Sequence, residues 1–336
     1  MSKGLRQDLI DRLKHCFAQG LCAVPESPSD GHRLRAALRA GHVASPFPQL
    51  YVLPDQWATL DRTAQEHVKI RSLAALHPDW VFSDISAAIV HGLAVTHSLM
   101  SSIHIVTGRT AHSRSSRLVT RHAYAGCQTV VVDGIRVTTL ERSTFDCLRR
   151  LSFRTALPIA DSALRVLGTD QGHFIDAFGA YHAGTPHHRR AIEIMGLANG
   201  LSESGGESVA RAVIIEQGYL LPELQVEVAS VVDPDTRYRV DFCWDLPSGK
   251  IYGELDGREK YQNPAMTQGK DAINVLADER LRESYISGNG IRMLRFGYRD
   301  VVHEERFRQL LDAYDVPSGY VVPEVARPDS PLNGMA

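Results

Sequence analysis

The chain has 336 residues, 43% hydrophobic and 23% charged, with 37 Lys and Arg against 39 Asp and Glu for a net charge of −2. That length favours two or three domains over one, and no apolar run approaches the ~18 residues of a membrane helix, so membrane attachment is not expected. The charge is unevenly divided: residues 1–150 carry 18 Lys and Arg against 12 acids (+6), and residues 151–336 carry 19 against 27 (−8), so the front half suits a polyanion.

Residues 3–19 read as an amphipathic helix with Leu5, Leu9, Ile10, Leu13 and Phe17 on one face. Its first residues lack the apolar core of a secretion signal. The five cysteines, Cys16, Cys22, Cys127, Cys147 and Cys243, are scattered and odd in number, which suits free thiols in a cytoplasm. Cys16 and Cys22 have no second Cys/His pair at zinc-finger spacing. Ser29 or Asp30 is placed to cap a short helix whose exposed side carries Arg33, Arg35 and Arg39, and "FPQLYVLP" then alternates like a strand. Helix, basic helix, strand is the order of a winged helix; a helical hairpin with solvated arginines has the same pattern. These residues, 1–55, form the expected first region.

Residues 56–198 read as a mixed α/β middle domain. Two helices flank a strand-like link at Trp80–Ser83, with Ser83 or Asp84 as cap for "ISAAIVHGL". His91 in that segment is read as a packed or C-capping histidine. "SIHIVTG" is a strand, and "TVVVDGIRVTTL" is a hairpin turning at Asp133–Gly134. A helix over "RTALPIADSALRVLG" ends at Gly168. The small-residue linker "GLANGLSESGGE" marks an expected boundary near residue 200. From there the order is α-β-β-β-α-β-α through residue 315, and residues 316–336, rich in Pro and small residues, are expected to be a flexible tail. The fold class is thus α+β or α/β.

"VDFCWDLPSGKIYGELDG" folds as a hairpin. A turn centred between Pro247 and Ser248 sets Asp241 opposite Glu254; a turn one residue later sets it opposite Asp256. In either register the three acids share a face, and directly paired Cβ atoms stand ~5 Å apart. Acids so close repel each other and shift their pKa values upward unless a cation compensates. Mg²⁺ or Mn²⁺ with oxygen ligands is one such cation and would suit phosphodiester chemistry; pairing with Arg237, Arg239, Arg258 or Lys260 on a solvated hairpin is another. Glu207, in the first turn of the preceding helix, is either a capping acid or a further ligand, and Gln225 on the first strand can point at the same face.

Asp241, a short hairpin and "ELD" at Glu254–Asp256, after a helix bearing Glu207 and before a helix and strand with "ERLRE" and "LRF", resemble the PD-(D/E)XK nuclease core, and in particular its very-short-patch-repair-like branch. The resemblance covers roughly residues 200–314. It implies a restriction-endonuclease-like domain in which Asp241 and Glu254 hold Mg²⁺ (or Mn²⁺) and Glu207 assists. The family pattern has a lysine two residues after the glutamate; Asp256 stands there, and Lys260, in "DGREKY", is the candidate cation. Arg280 and Arg282 are placed to touch a phosphate, or to pair with Glu279 or Glu283 on their own helix. "FSDISAAIVHGL", "VDGIRVTTLERSTFDCLRR" and "ALPIADSALR" resemble the AbiEi-type antitoxin family over roughly residues 1–170, which implies a winged helix before the middle domain and a nucleotidyltransferase-type toxin as partner. Two functions follow as expectations: a DNA-associated, Mg-dependent endonuclease, or a non-catalytic regulator or antitoxin of a phage-defence system that keeps the nuclease fold as a scaffold.

Overall fold

A computed structural model describes residues 5–108, 116–124, 126–181, 184–256, 281–286, 291–328 and 330. The chain is mixed α/β and folds as two compact units, Met1–Cys147 and Leu148–Ala336. Among the described residues no helix is long and apolar enough to cross a membrane, and all five cysteines are free thiols.

The first unit opens with α1 (Gln7–Ala18) and α2 (Pro28–Arg39). Leu13, Leu34, Ala37 and Tyr51 form a small core to which Leu5, Leu9 and Cys16 contribute. The cap of α2 differs from expectation. Ser27 accepts the Asp30 amide at 3.2 Å, because Pro28 is pre-set for the first helical position and starts the helix earlier. Asp30 is instead buried and takes Arg12 Nη2 at 2.7 Å and the Glu26 amide at 3.1 Å. Arg33, Arg35 and Arg39 are exposed. The expected single strand after α2 is a hairpin, β1 (Ala44–Phe47) and β2 (Leu50–Val52). Pro48 followed by Gln49 at φ 69° has the form of a type II turn, which splits the alternating run in two.

Helices α3 (Pro54–Ala58), α4 (Arg62–Leu76) and α5 (Asp84–Val90) follow, and His91 ends α5 with Nε2 at 2.8 Å from the Thr138 carbonyl. Strands β3 (Ile103–Thr107) and β4 (Val119–Ala123) pair in parallel, and β5 (Thr129–Val132) with β6 (Ile135–Thr138) form the expected hairpin. Asp133 and Gly134, at φ 49° and 78°, give it the two left-handed residues of a type I′ turn. Phe82, fully buried, bridges Ile105 on one side and Val137 on the other. The unit continues into α6 (Leu140–Leu148).

The second unit begins with α7 (Phe153–Leu167), closed by Gly168 in the left-handed conformation, then α8 (Gln171–Gly179), α9 (His188–Gly196) and α10 (Gly205–Glu216). The break expected near residue 200 is not where the units part, since α7 is bound to α10 by a buried ion pair. Arg211 Nη1 donates to Asp161 at 2.6 Å, the second Asp161 oxygen takes the Asn199 amide at 2.7 Å, and Arg211 Nη2 reaches the Leu197 carbonyl at 2.9 Å. The sheet has the order β10-β9-β8-β7, from β7 (Glu223–Ala229), β8 (Arg237–Leu246), β9 (Gly249–Asp256) and β10 (Arg292–Gly297), with β9 and β10 parallel. One face packs Leu224, Phe242, Trp244 and Phe296 against α10 and the helix Glu304–Ala313, and the other packs Val240, Cys243 and Tyr252 with Ile286 of the helical residues 281–286.

Residues 316–328, expected as a loose tail, are held in place. The Pro317 carbonyl accepts the Leu220 amide, the Gly218 carbonyl accepts the amides of Gly319 and Tyr320, and Val325 and Ala326 are buried. Arg190 of α9 donates to the carbonyls of Leu151 at 3.1 Å and Val325 at 3.3 Å, and to the Ser330 hydroxyl at 3.4 Å. Pro and small residues here terminate helices without preventing docking.

Removing one member of a buried, hydrogen-bonded ion pair strands the other charge, at about 3–5 kcal/mol. Asp161→Ala is therefore expected to lower the unfolding free energy of the second unit by that amount, and Asp161→Leu with Arg211→Met together by less than Asp161→Ala alone. Urea unfolding followed by far-UV circular dichroism measures both.

Candidate functional site

The hairpin of β8 and β9 turns at Pro247–Ser248. The ladder runs Leu246 to Gly249, Asp245 to Lys250 and on to Phe242 opposite Gly253, which is the first of the two registers the sequence allows. Gly253 is needed at that place. A Cβ there would stand 3.0 Å from Phe242 Cβ and 3.1 Å from the Trp244 ring.

Beyond Phe242 the regular pattern breaks. Leu224 and Phe242 belong to one side of the sheet, yet Val226 and Val240, each two residues along the same strands, pack on the other. Unbroken period-2 alternation would keep them together. Between them lie Gln225, at φ 53°, and Asp241. A non-glycine residue in the left-handed region inside a strand is a local kink of the kind found beside functional sites. The β8–β9 ladder stops at the same level, and Asp241 Oδ2 takes the next amide, Leu255 N, at 3.0 Å.

The kink opens a cleft of about 470 Å³ whose lining includes Gln225, Asp241, Glu254, Arg239 and Arg282. Glu254 is only 9% exposed. Arg282, from residues 281–286, donates to its Oε2 at 3.1 Å and sits 2.8 Å from its Oε1 in an ion pair. Among the described residues Oε1 nevertheless receives no aligned hydrogen bond, so it is a buried carboxylate oxygen with acceptor capacity beyond that ion pair. Burial pushes the Glu254 carboxyl above its ordinary value; Arg282 opposes that shift and Asp241 adds to it.

Glu207 stands at the N-terminal end of α10 and reaches the same cluster. Its amide donates to Ser204 Oγ at 3.1 Å, Ser204 Oγ donates back to Oε1 at 2.8 Å, and Oε2 takes the Glu203 amide at 2.8 Å and Gln225 Nε2 at 3.1 Å. This is a capping arrangement, and it also fixes the glutamine at the kink. Burial raises its carboxyl as well, with Asp241 contributing. Gly206 permits the approach of α10 to β9, since a Cβ there would meet Leu255 Cδ2 at 2.8 Å.

The structure thus joins Asp241, Glu254, Glu207 and Gln225. Asp256 is drawn aside: Arg295 of β10 binds both its oxygens and also reaches Glu283 at 3.4 Å. Arg282 is committed to Glu254 and to the Arg239 carbonyl, so it is a partner of the acids. Arg239 pairs with Glu203 at 2.7 Å on the cleft rim. Lys260 and Arg280 lie outside the described residues. Arg295 was not singled out from the sequence; the only signal is an arginine on the inward half of "IRMLRFGY", whose neighbour is set by a long parallel crossover.

No family model matches the chain. Two curated proteins of Mycobacterium tuberculosis, from strains CDC 1551 / Oshkosh and ATCC 25618 / H37Rv and both described as uncharacterized, are each 31% identical over 144 residues, 43% of this chain and 51% of the relative. The chain spans about half the length of the curated relatives it matches.

Two charges act on Glu254 with opposite sign, which carboxyl-carbon NMR titration can separate. Arg282→Gln is expected to raise the Glu254 titration midpoint further, and Asp241→Asn to lower it. Equal midpoints in all three proteins would contradict the coupling.

Proposed function

We propose that residues 199–315 form a restriction-endonuclease-like domain that hydrolyses phosphodiester bonds in nucleic acid, DNA foremost, with Mg²⁺ or Mn²⁺. The observation that carries this reading is the pair Asp241–Glu254 at the sheet kink, with a buried Glu254 oxygen that is ion-paired to Arg282 but takes no aligned hydrogen bond among the described residues. The donor set is all hard oxygen, which matches Mg²⁺ held by one or two carboxylates with water and phosphate oxygens completing the shell. Asp241 and Glu254 are the residues that would hold the ion. When bound, it would supply charge neutralisation at the phosphate and a more acidic water.

The chain's own groups have separable tasks. The Leu255 amide fixes Asp241. Arg282 opposes the upward shift that burial imposes on Glu254. Glu207, engaged by Ser204 and the Glu203 amide, positions Gln225 at the cleft. Arg237 also lines the opening, where it would meet a phosphate backbone. The element order from α10 to the helix Glu304–Ala313 supports the same reading.

The test is cleavage of supercoiled, linear and single-stranded DNA, and of RNA, in Mg²⁺ or Mn²⁺. Asp241→Asn and Glu254→Gln are each expected to slow cleavage by about 100-fold or more. The ion needs both acids deprotonated. Because the Glu254 pKa is raised, cleavage should fall, as pH drops, at a pH above the ordinary glutamate value of 4.5. No cleavage by the wild-type protein, or cleavage indifferent to Asp241→Asn, would overturn the proposal.

A second reading rests on a specific observation too. Protein arginines already compensate two of the acids, Arg282 at Glu254 and Arg295 at Asp256. On this reading the fold is a non-catalytic scaffold in a regulator or antitoxin. DNA is then bound by residues 1–55 as a winged-helix-like region, through Arg33, Arg35 and Arg39, and a nucleotidyltransferase-type toxin is the protein partner. Replacing the three arginines by Gln should weaken DNA binding and reduce the slope of log affinity against log salt by about 2–3. An unchanged slope would remove α2 from the interface.

A further inference from the structure

The first unit holds a second polar cluster, separate from the acids of the second unit. Asp84, at the start of α5, is 2% exposed and sits at φ 52°. Its backbone is set against β3: the preceding Ser83 amide donates to the His104 carbonyl at 3.0 Å, and Ser86 Oγ accepts the His104 amide at 2.9 Å. His104 of β3 and His122 of β4 lie on neighbouring parallel strands, displaced by two residues in register. His104 Nδ1 is 3.0 Å from His122 Nε2, His122 Nε2 is 3.6 Å from Asp84 Oδ2, and one ligand atom from each of the three residues lies within 4.8 Å of the others.

We infer that Asp84, His104 and His122 form a binding site for a transition-metal dication, Zn²⁺ foremost. Tetrahedral Zn²⁺ with bonds of ~2.0–2.1 Å places its ligand atoms ~3.3 Å apart; His104–His122 at 3.0 Å and His122–Asp84 at 3.6 Å lie on either side of that value, and the third pair, within 4.8 Å, would close on the ion. Two imidazole nitrogens and one carboxylate oxygen select Zn²⁺ or a similar borderline cation over Mg²⁺.

The surroundings are those of a supported ligand set. Ser102 Oγ stands 3.1 Å from His104 Nε2 and 3.0 Å from Thr120 Oγ1, so a hydroxyl that is itself held can orient the far nitrogen of His104, in the tautomer that would present Nδ1 to the metal. The buried Cys147 thiol donates to Asp84 Oδ1 at 3.6 Å, and Oδ2 is the oxygen on the His122 side. Tyr124 stacks on His122, and the Arg142 guanidinium lies 4.4 Å from the Tyr124 ring centre, but Asp146 binds that guanidinium at 2.6 Å, so its charge does not stand unopposed near the cation. The left-handed Asp84 is strain of the kind that persists where surrounding structure fixes a functional side chain.

The full chain should be stripped with a chelator and reloaded. Elemental analysis is expected to give about one Zn²⁺ per chain, and Co²⁺ substitution to give the visible absorption of a tetrahedral site with mixed nitrogen and oxygen ligands. His104→Ala and His122→Ala should each weaken Zn²⁺ binding by at least about 100-fold. The isosteric Asp84→Asn should weaken it with the far-UV circular dichroism unchanged. Asp241→Asn, in the other unit, should leave it intact, which separates this site from the proposed nuclease centre. If the histidine variants do not fold, X-ray absorption on Zn-loaded wild-type protein decides, with two imidazoles expected in the shell. No zinc uptake at micromolar concentration, a shell without two imidazoles, or a folded His104→Ala variant that binds as tightly as wild type would overturn the inference.

Discussion

The candidate site exists because two strands change face at one level. If β7 and β8 kept their alternation through Gln225 and Asp241, Val226 and Val240 would lie with Leu224 and Phe242 in the layer against α10. The ladder to β9 would then have no reason to stop, and the Leu255 amide would bond to backbone. The kink converts a backbone ladder position into a side-chain one, and the carboxylate that fills it is fixed by the sheet itself. Glycine at 253 pins the other half of the geometry, since Phe242 and Trp244 close over it and a slip by one residue would turn Glu254 into the apolar layer.

Around that opening, acidic charge is balanced by arginines from different parts of the chain. Arg239 comes from β8 itself, Arg282 from residues 281–286 and Arg295 from β10, and each meets a different acid. A planar guanidinium suits this work because it presents several donors in a fixed fork. The pairing has a structural consequence. Elements distant in sequence are fastened to the same sheet face by charge-assisted bonds, while the apolar layers on both faces supply the bulk of the burial.

Much of this was legible locally. The hairpin turn narrowed the β8–β9 pairing to two registers, of which the chain adopts the first, Asp133–Gly134 gave the β5–β6 hairpin, and Gly168 marked the end of α7, since each depends on a few adjacent residues. What depends on distant pairing was not. Strand β4 is "VTRHA", too polar to read as a strand, and it is recruited by its parallel neighbour β3; with it His122 went unnoticed. The kink sits on a glutamine, which carries no local sign of a left-handed backbone. Arg295 meets Asp256 only through a parallel crossover. The convergence of Asp241, Glu254 and Glu207 was readable from strand parity and helix position, but the diversion of Asp256 to Arg295 was not.

The three bonds made by Arg190 bear on how the second unit is bounded. One guanidinium reaches Leu151, near the unit's first residue, and Val325 and Ser330, near its last. The two ends of the unit therefore meet at a single side chain on α9, and the path between them closes into a ring. A body joined at its own seam can be excised, fused at either end or reopened elsewhere along the loop while its interior contacts stay as they are. Arg190 shares that closure with the backbone bonds that hold Pro317, Gly319 and Tyr320 beside Gly218 and Leu220.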